Sequence, residues 1–453
     1  MIPRIVVAAA NSGSGKTMIT CGIARALKKR GFKVQTFKVG PDFIDPKYHT
    51  LASGRCCANL DSWLMDEGTI LKDFSYYCSD ADIAIIEGVR SLYDSSDPLS
   101  TKGSTYSVAK ILKAPIILTI DVRGLNMGAA AIVKGFKTLF DADIRGVILN
   151  SSRGERHELK AKKAIEEFTG IEVLGAIPRK KELEIEMRHL GLVTVEELEK
   201  SAEEKIKIWA EVVEERVDLD KLVKIAESAE RLNTTTREKE EILEEVEIAV
   251  AYDKAFNFYY TQNLDLLKNL GAKIRIFSPL QKFEDFEQIG GVIIGGGYPE
   301  LYAYEFDERT MKLLREKIED DCPVYAECGG LMYLCNNLIN KNEKFRGVGV
   351  IDADAVFDTS KRYLGYAKGS CIRENILFCV KDKIQGHEFH YSYLEIQGEA
   401  KYAYRLERGY GIDGEHDGIL VHSTLASYIH LLFSGQEKSL KNFLANAVRY
   451  NKR

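Results

Sequence analysis

The stretch Arg4-Ile5-Val6-Val7-Ala8-Ala9-Ala10-Asn11-Ser12-Gly13-Ser14-Gly15-Lys16-Thr17 decides the fold of the first half of this chain. Residues 4–9 read as a strand, residues 16–30 as a helix closed by Gly31, and residues 33–39 as a second strand. A glycine-bearing loop between strand and helix, ending in Lys-Thr, is the mechanical plan of a phosphate cradle. The backbone N–H groups of Asn11, Ser12, Gly13, Ser14 and Gly15 are placed to surround phosphate oxygens. Lys16 is placed to meet the outer phosphates of ATP and Thr17 to offer a hydroxyl to Mg²⁺. Ala10 stands where the usual pattern has its first glycine, and the position directly after a strand offsets that departure. The plainer alternative is a glycine turn with no ligand.

Working outward, the second strand runs into Lys38-Val39-Gly40-Pro41-Asp42-Phe43-Ile44-Asp45-Pro46-Lys47-Tyr48-His49, and a third ends in Ile85-Ile86-Glu87-Gly88. Ligands of open parallel sheets sit at the carboxyl ends of the strands, so Lys38, Asp42, Asp45 and Glu87 are expected beside the loop. Thr17, Asp42 and Glu87 together offer the hard oxygen donors that Mg²⁺ prefers. The alternatives are that Asp42 caps a turn and Glu87 is a solvated strand end. Further apolar runs at 83–86, 116–120, 147–149 and 173–177 alternate with helical stretches at 107–112, 128–140 and 155–168. That alternation predicts an α/β fold with a mostly parallel sheet covered on both faces. Residues 180–245 are densely charged with a helical period, broken by Thr234-Thr235-Thr236-Arg237. Strands resume at 248–251, 273–277, 292–294 and 324–326, predicting a second domain of the same class. The expected division is 1–235, a linker at 236–246, and 247–453.

In that second domain the strand Pro323-Val324-Tyr325-Ala326-Glu327 breaks at Cys328-Gly329-Gly330. A thiol on a sharp strand-to-helix turn, with backbone N–H groups and a helix N-terminus nearby to favour the thiolate, has the form of a nucleophile. The competing possibility is an inert buried thiol. A phosphate cradle and a reactive thiol in one chain predict that ammonia released at the thiol is spent on a substrate activated by ATP. His387 and His390, with Glu388 between, lack the spacing of the helical zinc motif, so no metal is expected there. Cys56 and Cys57 are read as loop thiols.

Bulk properties narrow the class. At 453 residues the chain exceeds one ordinary core. A net charge of −5 and the lack of a basic tract speak against nucleic acid as a partner. No stretch approaches the roughly 18 apolar residues of a membrane span. An odd count of nine cysteines without a C-x-x-C pair suits reduced thiols and a cytoplasmic location.

Lys16-Thr17, the run 38–48, Asn59-Leu60-Asp61-Ser62-Trp63, Glu87-Gly88 and Arg188-His189-Leu190-Gly191-Leu192 resemble the synthetase domain of cobyrinate a,c-diamide synthases. That domain in turn is similar to dethiobiotin synthetase. Ile248-Ala249-Val250-Ala251-Tyr252-Asp253, Gly295-Gly296-Gly297-Tyr298-Pro299-Glu300, the Cys328 turn and Gly386-His387-Glu388-Phe389-His390-Tyr391-Ser392 resemble, in the same order, the class I glutamine amidotransferase domain of those enzymes. Arg90-Ser91 and Ser95 depart from the family pattern after Glu87. The resemblance implies glutamine hydrolysis with Cys328 as nucleophile, His430 as base, and Gly296 and Gly297 at the oxyanion. The glutamate two residues beyond the base is absent, so a third member of the triad is missing or comes from elsewhere. His430 as a core histidine on an amphipathic helix is the competing possibility.

On the ATP side the resemblance implies Lys38 with the loop residues as nucleotide contacts, and Asp45, Tyr48 and His49 as substrate-site candidates. It implies a tetrapyrrole substrate, cobyrinate or Ni-sirohydrochlorin, amidated at its a and c acetates in cobalamin or coenzyme F430 synthesis. A homodimer is carried as an open expectation. Two rivals are a cobyric acid synthase acting on other ring carboxylates and a ParA/MinD-like ATP switch. The switch typically has an additional early lysine in its loop, where this chain has Asn11 and Ser12.

Overall fold

The computed structural model describes residues 2–184, 199–233, 244–341 and 343–453. The resembling run 188–192 and the break at 234–237 lie outside the described residues. The chain divides into two compact units, Met1–Glu238 and Lys239–Arg453.

In the first unit seven strands form one sheet: β1 (Arg4–Ala9), β2 (Val34–Val39), β3 (Ala58–Leu60), β4 (Ile83–Glu87), β5 (Ile116–Asp121), β6 (Ile144–Ser152) and β7 (Val173–Pro178). Their order is β3-β2-β4-β1-β5-β6-β7, with every pair parallel. The predicted strands are all present. β1, β2 and β4 are buried along their whole length, as continuous apolar runs require when helices cover both faces. β4 lies between β1 and β2, so the chain crosses over to opposite sides from β1, and the loops after β1, β2 and β4 share one edge.

Helix α1 (Lys16–Lys29) follows the first loop, and α2 (Asp45–Ser53) follows β2. α2 was not legible in the sequence, because Pro46 and the polar residues around it carry a turn signal that here starts a helix. The charged region after residue 180 does contain helices, Glu199–Arg216 and Leu219–Glu227. The first of these sends Trp209 into the unit, fully buried, with its ring 6.2 Å from that of Tyr48 on α2.

The second unit is built on a ten-stranded sheet. Ala272–Phe277, Val246–Ala251, Gly291–Ile294, Val324–Glu327 and Thr424–Ser427 lie side by side and parallel. Beyond Thr424–Ser427 the sheet turns antiparallel through His416–Val421, Tyr402–Arg408, Tyr363–Cys371, Lys383–His390 and His430–Leu431. The expectation of an α/β fold in two domains holds, but the second unit's main sheet is parallel only through its first five strands, and a two-stranded and a four-stranded sheet accompany it. The antiparallel extension is the part that helix-and-strand alternation did not reveal, because these strands read as half-buried and polar on one side. No described helix is long and apolar enough to cross a membrane, and all nine cysteines are free thiols.

Truncation of Trp209 tests the packing of the charged region onto the first unit. Trp209→Ala is expected to lower stability by about 3–5 kcal/mol, the range for large buried aromatics. Denaturant unfolding measures this, and a loss under about 1 kcal/mol would show that the segment is not held by its core.

Candidate functional sites

At the sheet edge of the first unit the loop 10–15 is closed on itself. Ser14 Oγ donates to Asn11 Oδ1 at 2.7 Å, and Asn150 Nδ2 at the end of β6 donates to the Ser14 carbonyl at 2.8 Å. Gly15 caps α1 in the left-handed region at φ 84°, and a Cβ there would stand 2.3 Å from Asn150 Nδ2, so only glycine fits. Ala10 is absent from the residues of positive φ, which is why a non-glycine residue is tolerated at that position.

Lys16 is buried and donates to the Arg90 carbonyl at 2.6 Å. Arg90 holds φ 49°, a strained conformation for a side-chain-bearing residue, and this aims its carbonyl at Lys16. Burial, followed by repulsion from Lys38, pulls the Lys16 ammonium down to about 8. Thr17 Oγ1 donates to Glu87 Oε1 at 2.8 Å.

Around Lys38 the side chains predicted from two strand ends, those of β2 and β4, do converge. Its Nζ stands 2.8 Å from Glu87 Oε1, 2.5 Å from Asp45 Oδ2 and 3.8 Å from Asp42 Oδ2. Burial opposes the ammonium, but Asp45 and Glu87 outweigh it and hold Lys38 well above its usual range. Burial, with Asp42 beside it, pushes Asp45 up to about 7. Burial also opposes the Glu87 carboxylate, yet Lys38 and His49 overcome it and hold Glu87 well below the usual carboxylate range. Glu87 is thus a buried, paired carboxylate and not a solvated strand end.

Asp42 does cap a turn, accepting the N–H groups of Ile44 and Asp45 through Oδ1, while Oδ2 faces Lys38. Asn59 braces the loop by donating to the carbonyls of Gly40 and Asp42, which accounts for the Asn59 run singled out in the sequence. Tyr48 and His49 are buried behind this row. His49 Nε2 meets Glu87 Oε2 and its Nδ1 lies 3.3 Å from Cys21 Sγ, so the histidine backs the carboxylate and does not line an open face.

Thr17, Asp42 and Glu87 are hard oxygen donors gathered at one edge, and they fit Mg²⁺ by chemistry. In the structure the Lys38 ammonium compensates their charge. Among the described residues no group of three or more His, Cys, Asp or Glu side chains is arranged as a metal site.

In the second unit Cys328 ends the strand Val324–Glu327 and caps a short helix, Gly329–Leu334. Its φ of 48° and ψ of −98° are strained for a non-glycine residue, as an elbow that lifts a side chain out of a sheet requires. The Cys328 N–H donates to the Ser427 carbonyl at 2.7 Å, extending the parallel pairing of 324–327 with 424–427. His430 lies three residues past Ser427, so nucleophile and base leave neighbouring parallel strands at the same end. His430 sits on a short strand, not a helix, opposite His387 in register and with the two rings stacked 4.9 Å apart.

The glycine run closes over this edge. A Cβ on Gly296 would stand 2.5 Å from His430 Cε1, so the bare backbone is what allows the ring its place. The ladder between 296–297 and 256–258 shifts register at Gly296/Gly297, a bulge that brings the Gly297 N to within 3.2 Å of where a Gly329 Cβ would be. The Gly295 N–H is already spent on Tyr259 Oη at 2.7 Å.

One expectation needs correcting. Burial, then Glu300 and Glu327, push the Cys328 thiol far up, and the Gly329 N–H offsets this only partly. The sulfur is a thiol whose S–H points to the Phe389 carbonyl at 3.7 Å, so the turn alone does not make a thiolate. Sequence reasoning missed three carboxylates here. Glu327 Oε2 is 3.4 Å from His430 Nδ1. Asp417, fully buried, accepts from Ser427 Oγ and from the N–H groups of Tyr428 and Ile429, fixing the turn that delivers His430. Burial raises Glu300 to about 8. Glu327 and Glu300 each sit inside a quoted motif, but nothing local says which way they point. Cys57 is buried and Cys56 exposed.

Comparison with known proteins accords with both halves. Residues 5–193 match the CobQ/CobB/MinD/ParA nucleotide binding domain, and residues 247–438 match the CobB/CobQ-like glutamine amidotransferase domain. The chain is 44% identical over 456 residues to the cobyrinate a,c-diamide synthase of Archaeoglobus fulgidus, covering 99% of this chain and 98% of that protein. It is 43% identical to the protein of that name from Methanobrevibacter smithii, covering 94% and 95%, and 42% identical to that from Methanocaldococcus jannaschii, covering 95% and 96%. Likeness of this degree over the whole length of both partners makes the chain a member of the cobyrinate a,c-diamide synthase family, ATP-dependent amidating ligases that take nitrogen from glutamine.

Proposed function

We propose that this enzyme converts the a and c acetate carboxylates of a tetrapyrrole into amides, with glutamine as nitrogen donor and an acyl phosphate as the activated form of each carboxylate. The observation that carries the chemistry is the strand pairing that places the Cys328 elbow and His430 at one edge, in a chain that also holds the Lys16 loop. Cobyrinate as substrate is favoured by the names of the full-length relatives. Ni-sirohydrochlorin, with the same a and c acetates, is the second macrocycle that the family resemblance suggests, which would place the enzyme in coenzyme F430 synthesis.

In the glutaminase half His430 takes the Cys328 proton as the sulfur attacks the side-chain amide of glutamine, forming a C–S bond and a tetrahedral oxyanion. The Gly329 N–H acts on the sulfur directly, and the backbone N–H groups of Gly296 and Gly297, on the loop packed against Gly329 and His430, are the proposed acceptors of that charge. The C–N bond breaks as His430 returns the proton to nitrogen, releasing ammonia. Water, deprotonated by His430, then hydrolyses the thioester to glutamate.

In the synthetase half a substrate carboxylate oxygen attacks the γ-phosphorus of ATP and ADP leaves. Asn11 to Gly15 hold the phosphates, while Lys16 and Lys38 offset the charge that develops. Thr17, Asp42 and Glu87 would hold Mg²⁺, which when bound neutralises phosphate charge. Ammonia displaces phosphate from the acyl phosphate to give the amide. An unactivated carboxylate lacks a leaving group, so each amide requires its own ATP. Asp45 remains the candidate substrate contact at this edge, being partly exposed like Asp42, whereas Glu87 is buried.

Cys328→Ser is expected to abolish product formation from glutamine while ammonium salt still supports it, and Lys16→Ala to abolish both. Product mass spectrometry with cobyrinate and Ni-sirohydrochlorin in parallel reads the result and identifies the macrocycle. Loss of both nitrogen sources in Cys328→Ser, or full activity in Lys16→Ala, contradicts the assignment.

A pH test follows from Lys16. Its ammonium, drawn down to about 8, is charged below that pH and neutral above it. The dissociation constant for ATP should therefore be level from pH 6 to 7.5 and rise above pH 8, by up to about tenfold per unit. Calorimetric titration measures it, and a flat profile to pH 10 counts against Lys16 as a phosphate contact.

A further inference from the structure

The base of a cysteine hydrolase needs a third group to fix its ring and to stabilise the imidazolium formed when the thiol proton moves. The expected glutamate two residues past His430 is absent. Several ionisable groups surround His430, from different elements. His387 is stacked on it from the strand 383–390, and His390 acts on it from the same strand. Burial, followed by His430 itself, drives His387 well below its usual range, so that ring is neutral and meets the Tyr260 hydroxyl at 3.0 Å. Burial takes His390 down to about 3, and its Nδ1 donates to the Ser392 carbonyl. Neither ring supplies negative charge.

Asp417 meets the Ser427 hydroxyl and the N–H groups of Gly418, Tyr428 and Ile429. Those bonds shape backbone and do not reach the ring. Glu300, raised to about 8 by burial, is mostly protonated at neutral pH.

Glu327 differs from all of these. Its Oε1 accepts the Leu431 N–H at 2.9 Å and the Tyr325 hydroxyl at 2.5 Å, which pins the carboxyl to the backbone directly after His430. Its Oε2 is thereby aimed at His430 Nδ1, 3.4 Å away. That is ion-pair range and longer than a hydrogen bond, as catalytic contacts often are before substrate binds. Glu327 directly precedes the nucleophile in the chain, so one residue of backbone sets the distance between the base's anchor and the sulfur.

We propose, on the footing of the glutaminase chemistry above, that Glu327 is the positioning residue of His430, completing a Cys328–His430–Glu327 triad from the nucleophile's own strand. Its carboxylate fixes Nδ1, leaves Nε2 for the Cys328 proton, and balances the imidazolium until ammonia departs.

Glu327→Gln separates this role from a scaffolding one. The amide oxygen still accepts from Leu431 and Tyr325 with the same shape, but the charge facing His430 is gone. The glutaminase kcat is expected to fall on the order of 10²–10⁴-fold, with KM for glutamine changed less than about threefold. The ratio of glutamine- to ammonium-supported synthesis should fall by the same factor. Glutaminase within threefold of wild type in Glu327→Gln overturns the proposal, since a purely structural acceptor is preserved there. So does an equal loss with both nitrogen sources. Failure of the glutaminase chemistry itself reads differently, because wild type and variant alike then form no glutamate, and the triad falls with it.

Discussion

The hydrogen bond from the Cys328 N–H to the Ser427 carbonyl is the constraint on which the second unit's chemistry depends. It is the last rung of a parallel pairing between residues far apart in the chain, and it sets where two strands end. Cys328 leaves one strand through a strained elbow, and the turn past Ser427 carries His430 back beside it. A backbone held at φ 48° costs of order 1–3 kcal/mol, and it persists because the surrounding structure over-determines it. The Gly296 backbone against the His430 ring, and Asp417 gathering the N–H groups of 428 and 429, supply that over-determination. Burial has a further effect there. It keeps the sulfur protonated, so activation falls to the base and not to the turn.

The first unit applies the same physics to the opposite charge. Three carboxylates face one buried ammonium, and the two fully buried members, Lys38 and Glu87, are costly there without each other. Lys38 thereby holds Glu87 and Asp45 in place, with His49 and Cys21 behind Glu87. Lys16, folded onto the Arg90 carbonyl, is satisfied by a single neutral acceptor that a phosphate oxygen readily replaces.

Much of this was legible in the sequence, for physical reasons that differ by residue. β1, β2 and β4 are buried on both faces and read as unbroken apolar runs, and the loop before Lys16 follows directly from them. Lys38 and Glu87 were found from topology, since strand ends in a parallel sheet share an edge. Glu327 was quoted beside Cys328 but left without a role, because its direction depends on the pairing with 424–427 and on the Leu431 N–H, contacts about a hundred residues away. The family resemblance implied Tyr48 and His49 as substrate-site candidates, and α2 turns both inward, toward Trp209 and Glu87. The antiparallel half of the second sheet was hidden for a similar reason, as half-buried strands that mix polar and apolar residues resemble surface helices and loops until their partners are known.

Covalent catalysis at Cys328 is the central claim, and trapping the intermediate tests it most directly. Protein mixed with glutamine, quenched in acid during turnover and mapped by peptide mass spectrometry should carry a γ-glutamyl group on the peptide containing Cys328 and on no other cysteine peptide. Steady formation of glutamate with that peptide unmodified, or with the adduct on a different cysteine, would contradict the account.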